Sequence, residues 1–205
     1  MLRQLSKAPF RVDWLGKDSL HNCGGNHYSS SITDQALSFE GRNVMSISLK
    51  PIGTVRTDAS DDEIRASPHE WESRIVIFPE YQQALDGLEG FSHIFVLNYL
   101  HKLRPDQMGA LKVKPRRLLR KGFTLDQLPL VGVFAIDSPT RPNPIGLSLV
   151  RLIRINGCEV FVSGLDMFNG TPVLDIKPYR ADYRIDDFTL PEWYQKLRSK
   201  VGEDI

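Results

Sequence analysis

Two hundred and five residues, 41% of them hydrophobic, suit one ordinary domain with room for a small appendage, because domains run ~50–250 residues. Twenty-six basic against 25 acidic side chains leave a net charge of +1, which excludes a globally basic nucleic-acid tail, and the apolar share excludes general disorder. Cys23 and Cys158 alone cannot build the cysteine-dense framework of small secreted proteins. No run approaches ~18 consecutive apolar residues, and the first residues lack the compact apolar stretch of a secretory signal. The expectation is a soluble cytoplasmic protein without a membrane partner.

Residues 1–44 show no sustained apolar alternation and read as an extension of unknown role. His21, Cys23 and His27 are three metal-capable side chains within seven positions, but a structural zinc site needs four ligands and no Cys-x-x-Cys accompanies them. No metal is expected. Residues 45–185 read as the main domain. Ile52 to Arg56 predicts a first strand, ended by the polar run Thr57 to Asp62. Arg74 to Phe78 predicts another, stopped by Pro79, which has no ladder donor. Tyr81 to Leu88 permits a short helix ending near Gly87. Ser92 to Tyr99, Val131 to Ile136 and Leu147 to Ile155 are strand-like, and Asn156-Gly157 separates the last from Glu159 to Ser163 in a hairpin pattern. Many strands with little room for crossover helices predict a mainly β fold, a small antiparallel β-barrel-like domain with short peripheral helices. Residues 186–205 form a tail whose segment Pro191 to Val201 predicts a C-terminal helix ended by Gly202.

Three segments carry chemistry. Ser138 to Gly146 holds three prolines and a glycine in nine residues, so its backbone is preshaped and orders little further on binding. Arg141 there suits a carboxylate or phosphate and Asn143 a polar heterocycle edge, while the competing reading makes Arg141 a cap of the fold. In Gly164 to Tyr179, Asn169-Gly170 supplies a tight turn. Asp175 and Lys177 share a face if extended, either to orient charged groups of a ligand or to pair with each other. Between His101 and Gly122, eight basic residues face only Asp106, a local charge of +7. Lys112, Lys114, Arg116, Arg117, Arg120 and Lys121 form a patch able to hold a phosphate backbone. Dinucleotide, P-loop, zincin and serine-hydrolase motifs are absent, and His69, His93 and His101 lack nucleophile partners at a recognisable spacing.

Phe91-Ser92-His93-Ile94, Gly132 to Ala135 with Ser138 and Arg141-Pro142-Asn143-Pro144-Ile145-Gly146-Leu147-Ser148, and Gly164-Leu165-Asp166 with Gly170 to Tyr179 resemble the TsaA/TrmO (YaeB-like) family of S-adenosylmethionine-dependent tRNA methyltransferases. The resemblance spans roughly residues 47–183. It implies a small β-barrel, usually a homodimer, that binds S-adenosylmethionine without a Rossmann fold. It also implies N6-methylation of threonylcarbamoyl-modified adenosine 37 in tRNA. By motif, the implied cofactor-binding residues are His101, Lys102, Arg141, Asn143, Leu147, Asp166, Asn169, Gly170 and Thr171, with Asp175, Lys177 and Tyr179 as the catalytic group that places the acceptor or handles its proton. Three departures stand out: Asp137 in place of the usual arginine, Asn169 in place of the usual aspartate, and no proline-glutamine element in Thr57 to Trp71. These keep two alternatives open, methyl transfer to a small metabolite and a non-enzymatic module that binds cofactor or RNA.

Overall fold

The computed structural model describes residues 47–66 and 71–202. The chain divides at Lys50/Pro51 into two units. Of the first, only residues 47–50 are described, and they form no regular element; the His21, Cys23, His27 trio and the rest of the extension lie outside the described residues, as does His69.

The second unit is a closed antiparallel barrel of six strands with a separate two-stranded ribbon. Its strands are β1 (Gly53–Arg56), β2 (Glu72–Ile77), β3 (His93–Tyr99), β6 (Ile145–Asn156), β7 (Glu159–Ser163) and β8 (Pro172–Pro178). The ribbon pairs β4 (Lys112–Val113) with β5 (Val131–Gly132). Around the barrel the order is β1, β2, β7, β6, β3, β8, and β8 returns to β1. Closure leaves none of the six with a free edge. It is made by the pairs Gly53↔Val173 and Thr54↔Pro172.

Alternation along each strand fills the interior. Val55, Ile75, Ile94, Val96, Val160 and Val162 are completely buried, each stabilising the fold by roughly 1.5–3 kcal/mol relative to exposure. On β6 the inward row is Ser148, Val150 and Leu152, and the outward row is Leu147, Leu149, Arg151 and Ile153. The β6–β7 hairpin turns one residue later than the sequence pattern suggests. Asn156 faces Glu159, and the two central residues are Gly157, in the left-handed region at φ 58°, and Cys158.

Two expected elements differ. Val131 to Ile136 is a strand only as far as Gly132, because its partner β4 is two residues long and offers no further ladder; a 3₁₀ turn takes over at Val133–Ala135. The short helix near Tyr81 is a 3₁₀ helix over Pro79–Leu85, started by the proline rather than following it. An unforeseen helix, α1 (Asp61–Ala66), opens on a reciprocal cap: the Ser60 amide donates to Glu63 Oε2 at 2.8 Å and the Glu63 amide to Ser60 Oγ at 3.3 Å. The C-terminal helix α2 spans Glu192–Val201, with Pro191 as its N-cap and Gly202 as its C-cap. Buried Leu197 joins Leu118 and Leu128 in a small second core, flanked by Phe123, Trp193 and Val201.

Candidate functional site

Strand register gathers the chemically interesting loops at one end of the barrel. Tyr99 lies opposite Ile145 and Asn98 opposite Val173. The end of β3 therefore meets the starts of β6 and β8, and the loops that feed those two strands are the proline-rich segment and the Asp166 to Thr171 segment. The Leu100 amide donates to the Pro144 carbonyl at 2.8 Å, tying the proline-rich loop to β3. Within that loop the Ile145 amide donates to Asn143 O and the Arg141 amide to Pro139 O, both at 2.8 Å. Arg141 spends one guanidinium donor on the Ile136 carbonyl at 2.8 Å, and its Cζ lies 5.8 Å from the Phe134 ring centre. It thus caps the fold as the competing reading requires, with further donors left over. Asn143 is exposed.

His101 and Lys102 follow directly on β3. Lys102 Nζ lies 2.6 Å from both carboxylate oxygens of Asp61 in α1. Two cations lie over the Phe168 ring, Lys102 Nζ at 4.8 Å and Arg65 Cζ at 4.7 Å from its centre. Burial, and then the positive charge of Lys102, hold the His101 imidazole below the ordinary histidine range, against a smaller opposing effect of Asp61. On the next loop, Asn169 Oδ1 accepts from the Thr57 amide at 3.5 Å. Gly170, at φ 81°, takes the left-handed turn, and its amide donates to the Val55 carbonyl at 2.8 Å. The Val55 amide in turn donates to Thr171 O at 2.9 Å. Asp166 Oδ1 accepts from Ser148 Oγ at 2.8 Å, which joins this loop to β6.

Beneath the junction is Asn98, completely buried on the inward row of β3. Neither its Nδ2 nor its Oδ1 has a hydrogen-bond partner among the described residues. The amide occupies the space that a side chain at Gly146 would need: a Cβ there would stand 2.5 Å from Oδ1 and 3.1 Å from Nδ2.

The donor set at this barrel end suits S-adenosylmethionine. The Lys102 ammonium fits a carboxylate, the exposed Asp166 carboxylate fits an ammonium or ribose hydroxyls, and the unpaired Asn98 amide fits a heterocycle edge.

The three residues expected to place the acceptor are on β8 (Asp175 and Lys177) and directly after it (Tyr179), away from these loops. Asp175 and Lys177 lie opposite Leu97 and Phe95, on the outer face of the sheet. They pair with each other, Lys177 Nζ to Asp175 Oδ2 at 2.7 Å, and the bond to Asp175 pushes the Lys177 ammonium above its ordinary range. Tyr179 lies four residues, ~13 Å of strand, beyond Asp175. Its ring packs 5.7 Å from Phe95 and 6.1 Å from Tyr183. The outer face between is apolar, with Leu147 67% and Leu149 49% exposed on β6.

The basic segment is mostly 3₁₀ structure, Arg116–Lys121, seated on α2 through Leu118. Lys114 donates to the Leu125 carbonyl at 2.6 Å and Arg120 to the Arg65 carbonyl, so both serve the fold. Lys121 is also engaged. Lys112, Arg116 and Arg117 are exposed and make no side-chain bond among the described residues.

Sequence reasoning missed Asp61, Phe168, Ser148 and Asn98. The Ser60-x-x-Glu63 spacing signals the cap that places Asp61, and Asn98 is a polar residue at a core position of the Ile94, Val96, Asn98 alternation. Nothing in the sequence pairs Ser148 with Asp166.

Known proteins resemble this chain in sequence and in fold. A probable S-adenosyl-L-methionine-binding protein of Methanothermobacter thermautotrophicus is 44% identical over 141 residues, covering 67% of this chain and 93% of that protein. The tRNA (adenine(37)-N6)-methyltransferase of Rattus norvegicus is 43% identical over 154 residues, 75% of this chain but 33% of the rat protein. The crystal structure of TrmO from P. aeruginosa superimposes with a TM-score of 0.55 at 28% identity, covering 73% of this chain and 62% of that one. The chain thus spans a third of the rat enzyme and under two thirds of the bacterial one. Residues 64–185 match the family model described as the tRNA-methyltransferase O N-terminal domain, and the chain belongs to that family.

Proposed function

We propose that this protein is an S-adenosylmethionine-dependent methyltransferase that acts in the cytoplasm, as a homodimer, on N6 of threonylcarbamoyl-modified adenosine 37 in tRNA. The observation that carries the reading is the convergence at one barrel end of His101-Lys102, the proline-rich loop and the Asp166 to Thr171 loop, in a chain of this family. When bound, the cofactor supplies a methyl group on a sulfonium, which the acceptor nitrogen takes as the carbon–sulfur bond breaks toward sulfur. Lys102 holds the carboxylate end, exchanging Asp61 for the ligand. Asp166, oriented by Ser148, holds the ammonium or ribose end, and Arg141 and Asn143 on their preshaped loop close over it. His101, kept neutral near pH 7 by burial, is available to a proton. Asp175, Lys177 and Tyr179, set apart from the cofactor loops of their own copy, act on the acceptor across the contact between two copies, and Arg116, Arg117 and Lys112 hold the tRNA backbone. Two copies meet through that outer face, where the Asp175–Lys177 pair presents both signs of charge to a symmetry mate.

The test is transfer of radiolabelled methyl from S-adenosylmethionine to three acceptor pools: tRNA carrying the modified adenosine, tRNA lacking it, and RNA-free small metabolites. Label in the modified nucleoside is expected. Label in a low-molecular-weight product favours the small-metabolite alternative prompted by Asp137, and ligand binding without any labelled product favours a non-enzymatic module. Replacing Arg116 and Arg117 by alanine is expected to weaken tRNA binding and reduce the slope of log affinity against log salt by about 2.

A further inference from the structure

No described residue of the protein compensates the burial of the Asn98 amide. Asn98 occupies a core position between β6 and β8, completely buried, and both ends of its amide are without a partner among the described residues. A buried amide in that state costs stability that an apolar side chain would not. Gly146 is tied to it. No left-handed φ requires glycine there; space does, since a Cβ would meet Oδ1, Cγ and Nδ2 of Asn98 at 2.5, 3.1 and 3.1 Å. The two residues sit under the joint of the site. Two positions along β3 from Asn98, the Leu100 amide holds Pro144, and two positions along β6 from Gly146, Ser148 holds Asp166. Gly146 is the second residue of β6, directly after the proline-rich loop, and puts no side chain of its own over the amide.

We propose that Asn98 is a specificity residue of the cofactor site, whose amide reads the adenine edge of S-adenosylmethionine. A carboxamide presents a donor and an acceptor side by side, the complement of the amino group and ring nitrogen that adenine offers together. The adenine edge approaches past Gly146, where the proline-rich loop enters β6, and supplies the hydrogen bonds that the amide lacks. The inference rests on the cofactor reading above.

The experiment titrates S-adenosylhomocysteine and its inosine analogue, which carries a carbonyl in place of the amino group, into wild type, Asn98→Ala and the double variant Asn98→Ala/Gly146→Ala by calorimetry. In the double variant the new methyl at 146 takes the space that the amide vacates. It is expected to melt at or above the wild-type temperature without ligand. It should also bind the adenosine compound about threefold to tenfold more weakly and lose the wild-type preference over the inosine compound. Unchanged affinity and unchanged preference in a stable double variant overturn the proposal while leaving the cofactor reading intact. A wild type that binds neither compound overturns both. Should the double variant fail to fold, the wild type decides alone: the Asn98 side-chain amide protons, identified by their loss in Asn98→Ala, shift in the NMR spectrum on saturation with the adenosine compound, and protons that do not move refute the assignment.

Discussion

Leu149→Asp tests the homodimer proposed above. Leu149 lies on the outward row of β6, opposite Phe95, and is 49% exposed, so about half its surface is free for a partner to cover. Full burial of a leucine is worth ~1.5–3 kcal/mol, so covering that half contributes roughly 0.7–1.5 kcal/mol per protomer. A two-fold axis makes the contact twice, which brings the loss to about 1.5–3 kcal/mol per dimer on the same scale. The carboxylate, desolvated without a partner, adds to it. The dimer dissociation constant should therefore rise at least about tenfold to a hundredfold. Because the side chain points away from the barrel core, the monomer should stay folded. Sedimentation velocity over a dilution series, with thermal unfolding as the control, measures both quantities. A wild type that sediments as a monomer throughout, or a folded Leu149→Asp whose dissociation constant matches wild type, refutes the reasoning.

Two further outcomes follow from the barrel and its mouth. Gly53→Ala would place a Cβ 2.4 Å from the Val76 carbonyl oxygen and 3.0 Å from Ile77 Cα, both backbone of the neighbouring strand. Urea unfolding should show a loss of about 2–3 kcal/mol, whereas Gly132→Ala, with nothing within 4 Å, should be nearly neutral; equal effects would contradict the close approach of β1 to β2 at Gly53. His101 is held below its ordinary range in the folded protein, so the unfolded chain binds more protons. Its contribution to stability is thus complete above about pH 6.5 and is lost as pH falls through the folded value. His101→Asn should flatten the pH dependence of the melting temperature below that point, and an unaltered profile would show that the imidazole is not buried in its neutral form.

Legibility in the sequence followed the range of the interaction concerned. The alternations at Arg74 to Phe78, Ser92 to Tyr99 and Glu159 to Ser163 are strands as expected, because an inward and an outward row need only the period of two. Val131 to Ile136 has the same composition and is mostly not a strand, since a strand persists only where a ladder partner runs beside it, and β4 ends after Val113. The site divides in the same way. Gly170 and the proline-rich loop are local backbone facts and were visible at once. The Lys102–Asp61 contact joins residues 41 apart, and the Ser148–Asp166 contact crosses from β6 to the following loop. The +7 patch was visible as composition, yet Lys114 and Arg120 turn out to serve backbone carbonyls of the fold.

By itself, then, the sequence determined the strand periods, a tight turn near Gly157 though not its register, the rigid loop before β6 and the helix at the tail, all of them consequences of φ restrictions and side-chain spacing among near neighbours. The tertiary structure decided the rest. Closure of β8 onto β1 and β3 chose the register, and the register chose which loops share the barrel mouth. It sent Asp175 and Lys177 outward and sealed Asn98 inward without a partner. Those outcomes depend on where distant strands come to rest, and no pattern within one segment records that.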